Sequence, residues 1–119
     1  MKEYREIKKK LTAAFRKLKK AGYFARQNFW CCQSCASEAI PEEYSEKYVF
    51  YHRQDNECLE ERTECYLAWD GDGKEIVQIL QDAGLYVEWN GDSHTRILVM
   101  GLWAHIKREG AKEFFNSSI

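Results

Sequence analysis

Long apolar runs are what this chain most clearly lacks. No segment of its 119 residues approaches the roughly 18 consecutive apolar residues that a membrane-spanning helix needs. The opening stretch, MKEYREIKKKLTAAF, is charged throughout and has no apolar h-region, so it does not read as a secretory signal. There is one proline, no low-complexity segment and no internal repeat, which excludes linker-rich and solenoid architectures. No nucleophilic Ser motif, phosphate-cradling Gly loop or H-E-x-x-H pair is present. The common signatures of hydrolases, nucleotide binders and zinc proteases are therefore missing. The five cysteines are odd in number, which argues against a complete disulfide framework. Without an export signal they are expected as free thiols or metal ligands in a reducing, cytoplasmic setting.

What is present reads as a globular domain. Hydrophobic residues make up 45% of the chain and aromatics 14%, enough for a core without staples at this size. One α+β domain is expected over residues 1–110, with 111–119 a frayed or disordered tail.

Charge is unevenly spread. Residues 1–27 hold ten Lys/Arg against two Asp/Glu, and residues 28–90 hold four against fourteen. The basic N-terminus invites a nucleic-acid reading. However, its aromatics sit on the apolar stripe rather than among the basic residues, and the isoelectric point is near 6.3. Nucleic acid is therefore an unfavoured partner and no membrane is expected. The acidic stretch suits a basic partner protein, and the partner is otherwise expected to be an unidentified protein or small molecule.

The periodicity predicts a helix over 2–21, with Tyr4, Ile7, Leu11, Ala14, Phe15 and Leu18 on one face. Residues 23–30 read as extended, and 34–40 as a short helix stopped by Pro41. Strands are expected at 47–53 and 64–70, joined by a polar connection over 53–63 with room for a helical turn. A helix over 73–83 follows, its start marked by the Asp72/Glu75 capping-box spacing. That spacing is a better account of DGDG than half a calcium loop. Strands at 85–90 and 96–103 close the chain as a hairpin, and 107–119 is a polar tail. The expected order is α-α-β-β-α-β-β: a two-layer α+β fold with a mixed sheet of about four strands and helices mainly on one face.

Two clusters carry chemistry. In FWCCQSCASEAI, Cys32-Gln-Ser-Cys35 is a C-x-x-C pair and Cys31 adds a third thiol. Zinc is the metal such donors suggest, with His52 as a further ligand candidate. Cys58 is another possible donor, whereas Cys65 reads as core beside Leu67 and Trp69. A thiol-redox pair at Cys32 and Cys35 is the alternative, since these positions precede a helix. The thioredoxin pattern fails beyond Trp30, because a helix precedes the motif and the only proline, Pro41, follows just six residues after Cys35. The third reading is packing, with small soft side chains filling a helix–sheet junction. The second cluster is His52-Arg-Gln-Asp55, where a strand ends. His52, Gln54 and Asp55 are candidate binding residues there, with Asp55 placed to orient the imidazole.

Three segments together, FWCCQSCASEAI, YVFYHRQDNE and AGLYVEWNGDSHTRILV, resemble a family of uncharacterised bacterial domains of unknown function. Its pattern is a C-C-x-x-C cluster, a Y-H-x-Q-D segment and a G-L-x-V-x-W-x-G hairpin. The matching positions are Cys31, Cys32, Cys35, Tyr51, His52, Gln54, Asp55, Gly84, Leu85, Val87, Trp89 and Gly91. The resemblance spans Leu18 to Trp103. It implies a bacterial cytoplasmic setting and joins the cysteines and the His-Gln-Asp segment in one unit. It implies no mechanism, and Cys58 and Cys65 fall outside the pattern. The functional expectation is a small non-catalytic binding or interaction domain, with a zinc or thiol-redox protein as the alternative.

Overall fold

The computed structural model describes residues 2–117. Its first element, α1 (Lys2–Lys20), forms as the periodicity predicts. Ile7, Leu11, Ala14, Phe15 and Leu18 are all buried, and Lys17, Lys19 and Lys20 occupy the last turn, where the helix dipole favours cations. The helix stops at Gly22, whose φ of +97° closes it with bonds from Gly22 N–H to Lys19 and from Tyr23 N–H to Leu18.

After α1 come β1 (Phe24–Arg26), α2 (Gln33–Glu38), β2 (Tyr48–Phe50), α3 (Arg53–Arg62) and β3 (Glu64–Asp70). These are followed by α4 (Gly73–Asp82), β4 (Tyr86–Glu88), β5 (Ile97–Met100) and α5 (Leu102–Ser117). The strands form a mixed sheet in the order β1-β2-β3-β5-β4. Only β1 and β2 pair in parallel, with Ala25 opposite Val49. The fold is α+β as expected, with five strands rather than about four. The added strand is β1, three residues within the segment read only as extended.

Strand alternation gives the sheet two faces. On one, Val49, Leu67, Ile97 and Val99 pack against Leu11 and Leu18 of α1, Leu59 of α3 and Ile76 and Leu80 of α4. Each fully buried aliphatic side chain there contributes about 1.5–3 kcal/mol. The other face is covered in two patches. Ala36 of α2 meets Phe50 and Ala68, and Ala104 of α5 meets Leu98 and Met100. Helices therefore lie mainly on one face, with α2 and α5 on the other.

Three segments differ from the sequence reading. The polar connection over 53–63 contains a full ten-residue helix, α3. Its cap is His52, and its one buried apolar residue is Leu59. The final strand ends at Met100 rather than 103, and the chain turns at Gly101, where a Cβ would stand 2.5 Å from Ile7 Cδ1. Helix α5 starts directly afterwards, and Glu3 accepts a hydrogen bond from Trp103 N–H at 2.8 Å. The expected tail is helical to Ser117, while residues 118 and 119 lie outside the described residues. The predicted hairpin is present, with Val87 opposite Val99 in the β4–β5 pair. The DGDG turn ends in a cap, where Asp72 accepts from Lys74 N–H and Glu75 N–H.

Candidate functional site

The loop between β1 and α2 is built by two left-handed residues, Asn28 (φ 49°) and Trp30 (φ 61°). This conformation is cheap for Asn but costs a bulky residue about 1–2 kcal/mol, so the surroundings must hold it. Phe29 N–H donates to Tyr51 C=O at 2.8 Å, and Arg53 N–H donates to Trp30 C=O at 3.0 Å. Phe29 also packs edge-on against Phe24 and Phe50. The loop is thereby clamped beside the end of β2 and the start of α3. Trp30 is left 56% exposed.

Cys32 is the extended N-cap of α2, and Ala36 N–H bonds back to its carbonyl. Burial of Ala36 under the sheet fixes the turn with Cys31 and Cys35 exposed and Cys32 half-buried. The sulfur of Cys31 lies 4.0 Å from that of Cys32 and 3.8 Å from that of Cys35. All three lie within 4.8 Å of one another. An ion about 2.3 Å from each of three sulfurs would set them about 4 Å apart, so the spacing suits one thiophilic ion. The Cys35 N–H, followed by the Cys35 thiol, holds the Cys32 thiol below its usual range. Cys35 is correspondingly pushed up to about 11, chiefly by its hydrogen bond with Cys32 and then Cys31. One sulfur thus gives up its proton before its neighbour.

The structure places the other expected residues nearby but in different roles. His52 is 4% exposed and caps α3. Its Nδ1 accepts from Asp55 N–H at 3.4 Å, while Asp55 Oδ2 accepts from His52 N–H at 3.3 Å. Asp55 Oδ2 also lies 3.2 Å from His52 Nε2, and Arg96 approaches Asp55 Oδ1 at 3.6 Å. Gln54 is exposed on the first turn of α3. Among the described residues, no fourth His, Cys, Asp or Glu joins the three-sulfur group. Cys58 is exposed on α3 and Cys65 is buried, its thiol pushed up by burial. The cysteine triplet and the His52–Asp55 box are thus neighbours through the Trp30–Arg53 backbone bond.

Sequence reasoning missed a polar chain under α1. Lys8 Nζ donates to Tyr51 OH at 2.7 Å, Tyr51 OH to Gln27 Oε1 at 2.9 Å, and Gln27 Nε2 to Thr12 Oγ1 at 3.2 Å. Burial lowers the Lys8 ammonium and raises the Tyr51 phenol. In the sequence nothing sets Lys8 apart from Lys9 and Lys10. A separate cavity of about 510 Å³ lies between α1, the end of α3 and α5, lined by Glu3, Thr63, Glu64, Trp103 and Arg108 among others. No cysteine lines it.

No described helix is long and apolar enough to cross a membrane. The family model described as Domain of unknown function (DUF6891) matches residues 5–106. That span takes in the cysteine triplet, the His52–Asp55 box and the whole sheet, and the chain belongs to this family. No curated protein and no solved structure matches the chain.

Proposed function

We propose that this domain binds one thiophilic metal ion through Cys31, Cys32 and Cys35, and that its role is binding rather than catalysis. The observation that carries the reading is the convergence of three sulfurs within 4.8 Å on a loop that exposes two of them. Packing does not account for this arrangement, because a core cysteine is buried as Cys65 is. All three donors are thiols, which disfavours hard cations and suits zinc or Cu(I). His52 orients the site from behind, through the cap it shares with Asp55 and the main-chain bond from Arg53 to Trp30.

The test is elemental analysis and native mass spectrometry of protein purified without tag or chelator and then offered zinc or Cu(I) anaerobically. One ion per chain is expected, with none retained once Cys31, Cys32 and Cys35 are all replaced by Ser. An ion retained by the triple variant, or none bound by the native chain, would overturn the reading.

The 3.8 Å approach of Cys31 and Cys35 favours a second reading, closure to a disulfide. Both thiols would lose a proton and together pass two electrons to an external disulfide, which is reduced to its thiols. Peptide mapping after treatment with oxidised glutathione reads this out, and a pair left unlinked under those conditions would exclude it.

A further inference from the structure

We propose that the ion this site is built for is Cu(I), held by three thiolates alone and exchangeable with an incoming thiol. The inference rests on the metal-site reading above and names its ion.

Coordination number is the first argument. Structural zinc is closed by four protein ligands at tetrahedral positions. Here the described residues offer three sulfurs and no fourth His, Cys, Asp or Glu. The imidazole of His52 is already engaged in capping α3. Cu(I) is a soft monovalent ion that three thiolates satisfy without a fourth donor. The 3.8 and 4.0 Å sulfur separations suit one ion at bonds of about 2.3 Å in a trigonal or a tetrahedral arrangement alike, so the donor count is what singles out Cu(I).

The second argument is that the fold does not depend on the ion. The loop is already fastened by the Phe29–Tyr51 and Trp30–Arg53 backbone bonds and by Ala36 packed under Phe50. A structural metal usually organises a segment that lacks such ties.

The third is access. Cys31 and Cys35 are exposed, and so is Trp30 beside them, so a thiol-bearing acceptor can reach the ion. In the exchange an incoming thiol forms a bond to the metal and releases its proton to water. One cysteine–metal bond then breaks and that sulfur is reprotonated. No electron moves and the copper stays monovalent.

The experiment uses the full chain carrying Cys58→Ser, loaded anaerobically with one equivalent of Cu(I). X-ray absorption is expected to count three sulfur neighbours. The copper is expected to pass to a competing small dithiol at a rate rising in proportion to the dithiol concentration. Cys31→Ser, Cys32→Ser or Cys35→Ser is each expected to weaken Cu(I) binding by at least about 100-fold, beyond the loss seen when outer-shell partners are removed. A transfer rate independent of dithiol would overturn the exchange. A parallel sample loaded with zinc that held it with four donors and kept it against the same dithiol would overturn the copper assignment and leave the metal site standing. Full reactivity of all three thiols in the presence of copper would overturn both.

Discussion

The helix-covered face of the sheet and the loop between β1 and α2 use sulfur in opposite ways. Cys65 is 1% exposed in a core of Leu67, Ile97 and Val99, and burial raises its thiol. Cys31 and Cys35 stand at the surface within 4.0 Å of other sulfurs. In one place cysteine behaves as a small hydrophobe, and in the other as a group left free to react. The same contrast runs through the polar residues. On the helix-covered side Lys8, Tyr51 and Gln27 bond to one another. The loop is clamped by main-chain bonds and by Phe29 packed against Phe24 and Phe50, and its cysteine side chains take no part in those clamps. The difference teaches that the fold is held from the helix side and that the loop is carried by it.

The strongest way to break this comparison is through the core. Leu67→Ala, at a fully buried site, is expected to cost about 2–5 kcal/mol in denaturant unfolding, without changing metal stoichiometry in the fraction that remains folded. Alkaline pH should act next. Burial pushes the Tyr23 phenol up to about 12, so the folded state keeps a proton that the unfolded chain releases above its ordinary value near 10. The stabilisation is fully present below pH 10 and is lost as pH rises toward 12, by no more than about 3 kcal/mol. Tyr23→Phe should reduce that slope without abolishing it, because the raised Tyr51 phenol and Cys65 thiol act in the same direction, and an unchanged slope would count against the assignment. Tyr51→Phe removes the partner of both Lys8 and Gln27 and is expected to cost about 1–3 kcal/mol. The smallest effect is expected from the loop. Replacing Cys31, Cys32 and Cys35 by Ser should shift metal-free stability by no more than about 0.5 kcal/mol. A loss of several kcal/mol would mean that the triplet is part of the fold.

The sequence made some of this legible for identifiable reasons. Helix α1 shows because five buried residues recur at helical spacing, and Cys65 reads as core because Leu67 and Trp69 share its side of a strand. The triplet is visible because three cysteines occupy five positions. Helix α3 was hidden, since RQDNECLEER has only Leu59 to mark a buried face, and its N-cap is a histidine rather than the usual Ser, Thr, Asp or Asn. Strand β1 was too short to show alternation. The run RILVMGLW could not be divided by periodicity alone, because it is apolar on both sides of Gly101, whose tight fit against Ile7 comes from 94 positions away in the chain. The links among Lys8, Tyr51 and Gln27 join distant segments in the same way and leave no local signature.

The central claim, that Cys31, Cys32 and Cys35 form a chemical site while the remaining cysteines do not, is tested most directly by residue-resolved thiol labelling. The native chain would be alkylated with and without one equivalent of Cu(I), and each cysteine peptide quantified by mass spectrometry. The account predicts that the ion protects Cys31, Cys32 and Cys35 together. Cys58 should label equally in both samples, and Cys65 should label slowly in both. Labelling of the three loop cysteines that does not change with the ion, or protection that centres on Cys58, would contradict it.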